Sequence, residues 1–224
     1  MIFDPVYFLF IIPPLLLSLW ASWKTKSAFK KYSRVPVATG LSGADAAARL
    51  LEAAGIRDVK VVRSRGMLSD HYNPTTKTLA LSEGVHDSRS VAAVGIAAHE
   101  AGHAIQHARS YKPMWLRSLL VPTANIGSNL GYMVMLFGLL LSSAEMIYVG
   151  AILFAAVLLF QLVTLPVEFD ATARAKALVV ENGIVSVAER PGMDKVLNAA
   201  AMTYIAAAVS TLMTLLYFLM RARD

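Results

Sequence analysis

Four apolar runs, each close to the length that crosses a bilayer, constrain this chain more than any other feature. They lie at about residues 5–22, 118–141, 146–167 and 198–220. A helix of about 20 apolar residues spans the hydrocarbon core, so the runs predict four transmembrane helices. Only 16% of the residues are charged, against about 25% in an ordinary soluble domain. Asp4 precedes the first run, and Lys24, Lys26, Lys30, Lys31 and Arg34 follow it. That charge order reads as an N-terminal anchor, not a cleaved leader. Pro13 and Pro14 predict a kink that a membrane helix tolerates.

Charge also sets the orientation. Residues 22–117 carry 15 Lys and Arg against 7 Asp and Glu, whereas the short link 142–145 holds one acidic residue and no basic one. Residues 168–197 hold 4 basic and 5 acidic residues. Positive loops stay in the cytoplasm. Residues 22–117 and 168–197 are therefore expected inside and 142–145 outside, with the tail Arg221–Asp224 mildly against the rule. The net charge of +6 suits anionic lipid headgroups beside the spans. No stripe of interleaved aromatic and basic residues suggests stacked bases, so no nucleic-acid partner is expected. With no cysteine, disulfide frameworks, cysteine-rich zinc folds and cysteine proteases are excluded.

Between the first two spans the pattern changes. A basic connector at about 23–40 leads to a helix over 46–54, opened by Ser42 and Asp45 as a capping pair and closed by Gly55. Residues 59–63 read as a strand. Asn73-Pro74 marks a turn, and 78–82 alternates like a second strand. Asp87 or Ser88 is the expected cap of a helix over 89–108. In the second span, Gly127 and Gly131 form a small-residue pair suited to close helix packing, with Asn125 and Asn129 bonding nearby.

The helix over 89–108 carries His99-Glu100-Ala101-Gly102-His103, which fits the H-E-x-x-H pattern of zinc hydrolases. Residues i and i+4 share a helix face, so two imidazoles can aim at one ion. Glu100 projects about 100° round the axis, where it can sit beside the metal and take a proton from water held there. The preceding VAAVGIAA (91–98) is small and apolar, and ionisable groups inside a buried stretch need a partner or a metal. His107 repeats the four-residue step and reads as a polar neighbour. A catalytic zinc takes three protein ligands. Glu168 and Asp170, at the cytoplasmic end of the third span, are both available as the third. Asp170 can instead pair with Arg174 at i+4.

The ordered set of TGLSGADAAARLLEAAGI, DHYNPTTKTLALS, HEAGHAIQH and LPVEFDATARA resembles the YugP-type membrane zinc metallopeptidases, distant kin of the HtpX-like proteases. The resemblance covers nearly the whole chain. It implies a zinc endopeptidase with one Zn²⁺ per chain, held by His99, His103 and Glu168, with Glu100 as the catalytic carboxylate. Related sequences often place an Asp four residues after that Glu. Here the position is Thr172 and the Asp is at 170, so the oxygen that would steady a ligand imidazole is not named by the pattern.

These readings combine into a mainly α membrane protein with about four transmembrane helices and a small cytoplasmic α+β zincin-like unit. The expected division is an anchor at 1–22, a catalytic region at 23–117, a helix pair at 118–167, a helical segment with the third ligand at 168–197, and a last span and tail at 198–224. Substrates are expected to be membrane proteins or flexible peptides, cut at the cytoplasmic face of the cell membrane. Thr78, Leu79, Ala80 and Leu81 are candidates for pairing with an extended substrate. Arg174, His71 and Tyr72 are candidates for steadying the oxyanion. Two rival readings are cleavage inside the bilayer, as in site-2-type proteases, and a zinc-binding scaffold or regulator without turnover.

Overall fold

The computed structural model describes residues 5–66 and 69–223; Asp4 and Asp224, named above, lie outside them. In chain order, Pro5–Tyr32 forms α1 and Gly43–Ala53 forms α2. Three strands follow: β1 (Lys60–Ser64), β2 (His71–Asn73) and β3 (Thr78–Ser82). Then come α3 (Glu83–His86), α4 (Val91–Ala108), α5 (Lys112–Ile126), a π-helical turn (Gly127–Gly131), α6 (Tyr132–Leu140), α7 (Ala144–Glu181) and α8 (Arg190–Arg221). The chain is thus mainly helical with one small sheet. It divides into two compact units, residues 1–22, 113–166 and 202–224 in one, and 23–112 and 167–201 in the other.

In the first unit lie the apolar stretches of α1, α7 and α8, three helices long and apolar enough to cross a membrane. The fourth expected span, 118–141, is helical but divided into α5, the π turn and α6. Pro122 lies inside α5, where it cannot donate to the preceding turn. Gly127 and Gly131 then press on α7. A Cβ on Gly131 would lie 2.7 Å from the backbone nitrogen of Phe154, and one on Gly127 would collide with the carbonyl of Leu153. The small-residue pair therefore packs helix on helix as expected, while Asn129 donates to the Asn125 carbonyl at 3.2 Å. Pro13 and Pro14 sit inside α1, which continues through them. Met135, Ile147, Phe154, Leu215 and Phe218 form this unit's core, and Ser18 and Ser210 hydrogen-bond at 3.2 Å.

The second unit is built round α2, the sheet, α4 and the 167–201 stretch. Ser42 and Asp45 form a reciprocal capping box at the start of α2, and Gly55 ends the turn after it at φ 75°, a conformation only glycine adopts without strain. Leu50, Leu79, Leu81, Val94, Met193 and Leu197 belong to one buried cluster. Each fully buried Leu contributes about 1.5–3 kcal/mol. The cap of α4 differs from expectation. Ser90, not Asp87 or Ser88, accepts from the Ala93 N–H at 3.2 Å. Ser88 instead donates to Ser90, and Asp87 is engaged by Arg63 and His86.

The sheet order is β1-β3-β2. β1 runs parallel to β3 from Lys60↔Thr78 to Ser64↔Ser82, and β2 runs antiparallel to it, with Tyr72 opposite Leu79. Asn73 turns the hairpin by accepting from the Thr75 and Thr76 N–H groups at 2.9 and 3.2 Å. The expectation that Thr78, Leu79, Ala80 and Leu81 receive a substrate strand is corrected here. β3 is the inner strand and buried from Leu79 onward. Both edges of Thr78–Ala80 are paired, Leu81 pairs with Arg63, and the Ser82 N–H is held by Asp70 at 2.8 Å. The open edges belong to β1 and β2.

Candidate metal centre

The small residues before the motif let α4 pack closely, and Ala92, Ala97 and Ala101 have no exposed surface. Gly102 permits the closest approach. A Cβ there would lie 2.8 Å from the Ala171 carbonyl oxygen and 3.3 Å from its Cα. This backbone contact sets Glu168, three residues before Ala171, against His99 and His103. His99 Nε2 is 3.2 Å and His103 Nε2 3.5 Å from Glu168 Oε2, and one donor atom from each residue falls within 4.8 Å of the others. A tetrahedral zinc with bonds of 2.0–2.1 Å sets its donor atoms about 3.3–3.4 Å apart. The measured separations bracket that edge length, and two imidazoles with one carboxylate is a donor set of catalytic zinc.

Electrostatics agree with the geometry. Glu168 is only 2% exposed, and a buried carboxylate requires positive charge beside it. Burial pulls the pKa of the His103 imidazole down. The hydrogen bond to Glu168, the negative charges of Glu100 and Glu168 and the bond to Gln106 pull it up more strongly, so the net shift is upward. The pocket favours a positive charge at the point where the three side chains meet.

Behind the donors stands a set of hydrogen bonds. His103 Nδ1 lies 3.0 Å from Gln106 Oε1, and His99 Nδ1 lies 3.3 Å from Thr172 Oγ1. Gln106 Nε2 donates to the Val167 carbonyl and to Asp170 Oδ2, each at 2.8 Å. Arg174 Nε donates to the same Asp170 oxygen at 2.6 Å. Asp170 is engaged by Gln106 and Arg174, and the carboxylate in the group of convergent donors is that of Glu168.

Sequence reasoning missed Gln106 and Thr172. The signals were present: Gln106 is a long polar side chain three residues after His103 in an apolar helix, and Thr172 holds the place four residues after Glu168. Glu100 is 8% exposed and close enough to act electrostatically on His103. Its carboxylate accepts no hydrogen bond among the described residues. Of the remaining candidates, His71 Nδ1 bonds the Ser69 carbonyl at 2.8 Å. Tyr72 OH bonds His107 Nδ1 at 2.8 Å, and burial raises the Tyr72 phenol above its ordinary pKa. His107 does not join the donor group.

Comparison with known sequences places this chain in a class. A family described as "putative neutral zinc metallopeptidase" matches residues 7–223, and the chain belongs to that family. A relative from Bacillus subtilis (strain 168), "Putative membrane protease YugP", is 47% identical over 214 residues, covering 95% of each chain. No solved structure matches.

Proposed function

We propose that this protein is a membrane-embedded zinc endopeptidase that hydrolyses membrane proteins or flexible peptides at the cytoplasmic membrane surface. The observation that carries this reading is the convergence of His99 Nε2 and His103 Nε2 on Glu168, with the Glu100 carboxylate close enough to act on His103. His99, His103 and Glu168 would hold one zinc per chain, which when bound supplies a Lewis acid that polarises the scissile carbonyl and acidifies water. Glu100 takes a proton from the attacking water on a carboxylate oxygen as the water oxygen bonds to the carbonyl carbon. It returns that proton to the amine nitrogen as the C–N bond breaks. Glu168 offsets positive charge in the pocket.

Arg174, His71 and Tyr72 each have a hydrogen-bond partner, in Asp170, the Ser69 carbonyl and His107. The contact of Tyr72 with His107, one helical turn beyond His103, favours Tyr72 as the group that steadies the oxyanion. An extended substrate would add to the open edge of β2, the strand that carries Tyr72. The grouping of 1–22, 113–166 and 202–224 into one unit supports reading those segments, α5–α6 included, as the membrane part. The excess of Lys and Arg in 22–117 supports a cytoplasmic face for the rest.

The test is metal content and cleavage of an unfolded protein by detergent-purified wild type, Glu100→Gln and Glu168→Ala. The expected results are one zinc in the wild type, zinc without cleavage in Glu100→Gln, and no retained zinc in Glu168→Ala. Zinc in the wild type without any Glu100-dependent cleavage would refute the peptidase and leave a scaffold.

A further inference from the structure

The Gln106 side chain has no exposed surface, and its three hydrogen bonds admit one arrangement. The Val167 carbonyl and the ionised Asp170 carboxylate can only accept. Both lie 2.8 Å from Gln106 Nε2, so the amide nitrogen must face them. The amide oxygen then faces His103 Nδ1 at 3.0 Å. An amide oxygen only accepts, so Nδ1 must carry the proton. The lone pair of the neutral ring is left on Nε2, the atom aimed at Glu168. The amide cannot turn over to suit the other tautomer, because that would set its oxygen against two acceptors. Asp170 is anchored in turn by Arg174 at 2.6 and 3.3 Å, and the Arg174 guanidinium lies 5.8 Å from the centre of the Tyr111 ring. Thr172 does not do the same for His99, since a hydroxyl both donates and accepts.

We infer that Gln106 is a positioning residue that fixes the tautomer of His103 and couples this metal ligand to the Asp170–Arg174 pair. The inference rests on the zinc site proposed above. Asp170 then supports the metal without touching it, and only through the Gln106 amide. Outer partners of a ligand imidazole are typically worth about 10–100-fold in metal affinity.

The experiment is a zinc competition titration against a chelating dye, on the full chain in detergent, for wild type, Gln106→Met, Asp170→Ala and the double variant. Imidazole nitrogen NMR of wild type and Gln106→Met accompanies it. We expect Gln106→Met to bind zinc about 10–100-fold more weakly and to show a mixture of His103 tautomers where the wild type shows one. Asp170→Ala should lose less, and adding it to Gln106→Met should cost nothing more. If Asp170 were itself a ligand, or if both residues acted only on general stability, the two losses would add, and that result overturns the inference. So does a Gln106→Met protein that binds zinc as the wild type does. Should Gln106→Met fail to fold, Asp170→Ala decides alone, and unchanged affinity there overturns the coupling. A wild type that binds no zinc would sink the peptidase reading together with this one, whereas zinc binding indifferent to Gln106 sinks this one alone.

Discussion

Gly102→Ala tests whether the approach of α4 to α7 sets the metal geometry. The new Cβ would sit 2.8 Å from the Ala171 carbonyl oxygen, where ordinary contact begins at 3.4 Å. The obstacle is backbone, so α7 must retreat by about 0.6 Å at that point, a small displacement of the kind that overpacked cores make. Glu168 lies less than one turn away and moves with it. The separations of 3.2 and 3.5 Å to the imidazoles would open toward about 3.8–4.1 Å, beyond the edge of a tetrahedral zinc site. Overpacking costs about 1–3 kcal/mol. If that cost falls on the metal-bound form, zinc binds roughly 5- to 150-fold more weakly at about 1.4 kcal/mol per tenfold. A chelator competition titration reads this directly. Gly95→Ala is the control on the same helix, because its Cβ would meet the Met193 side chain at 2.7 Å, and methionine repacks more easily than backbone. Zinc affinity unchanged in Gly102→Ala, or lost equally in Gly95→Ala, would refute the reasoning.

Two further predictions concern single hydrogen bonds. Thr172→Val keeps the shape beside His99 but removes the oxygen 3.3 Å from its Nδ1, so zinc affinity should fall by up to about tenfold in the same titration while the fold persists. In the capping box, the Ser42 hydroxyl and backbone N–H hold the Asp45 carboxyl below its usual pKa. A carboxyl lowered in the folded state stabilises the fold above the unfolded value and loses that contribution as pH falls through the folded one. Asp45→Ala should therefore unfold more easily than wild type near neutral pH, by about 0.3–1 kcal/mol. The gap should close below about pH 4, the ordinary aspartate range, as thermal unfolding at both pH values would show.

What the sequence made legible follows from how local each signal is. The capping box of α2, the α4 helix with its two imidazoles one turn apart, and the apolar lengths of α1, α7 and α8 depend on neighbours within a few residues. The order of the strands does not. The alternation of Thr78–Ser82 cannot say that Lys60–Ser64 pairs along one side and His71–Asn73 along the other, which makes β3 the inner strand. The break at Gly127–Gly131 also escaped, because Pro122 and the glycines are tolerated in a straight membrane helix until a neighbour presses on them. Gln106 and Thr172 were hidden for a third reason. Gln106 stands three residues from His103, but the partners that fix its amide, Val167 and Asp170, and the His99 partner of Thr172 lie 61 to 73 residues away, where no helical spacing connects them. The missing Asp at position 172 was visible, but that its place is filled by a hydroxyl and an amide from two helices was not.

His99 and Glu168 stand 69 residues apart in the chain, and most of what separates them, residues 113–166, belongs to the other unit. The ribosome delivers the two halves of the metal site in sequence. At about 5–20 residues per second, Glu168 follows His99 by roughly 3 to 14 s. Over that interval the nascent chain carries two imidazoles and Glu100 but no complete site. The three donors that converge on one point are therefore all present only after α5, the π turn and α6 have been made, and before α8 has.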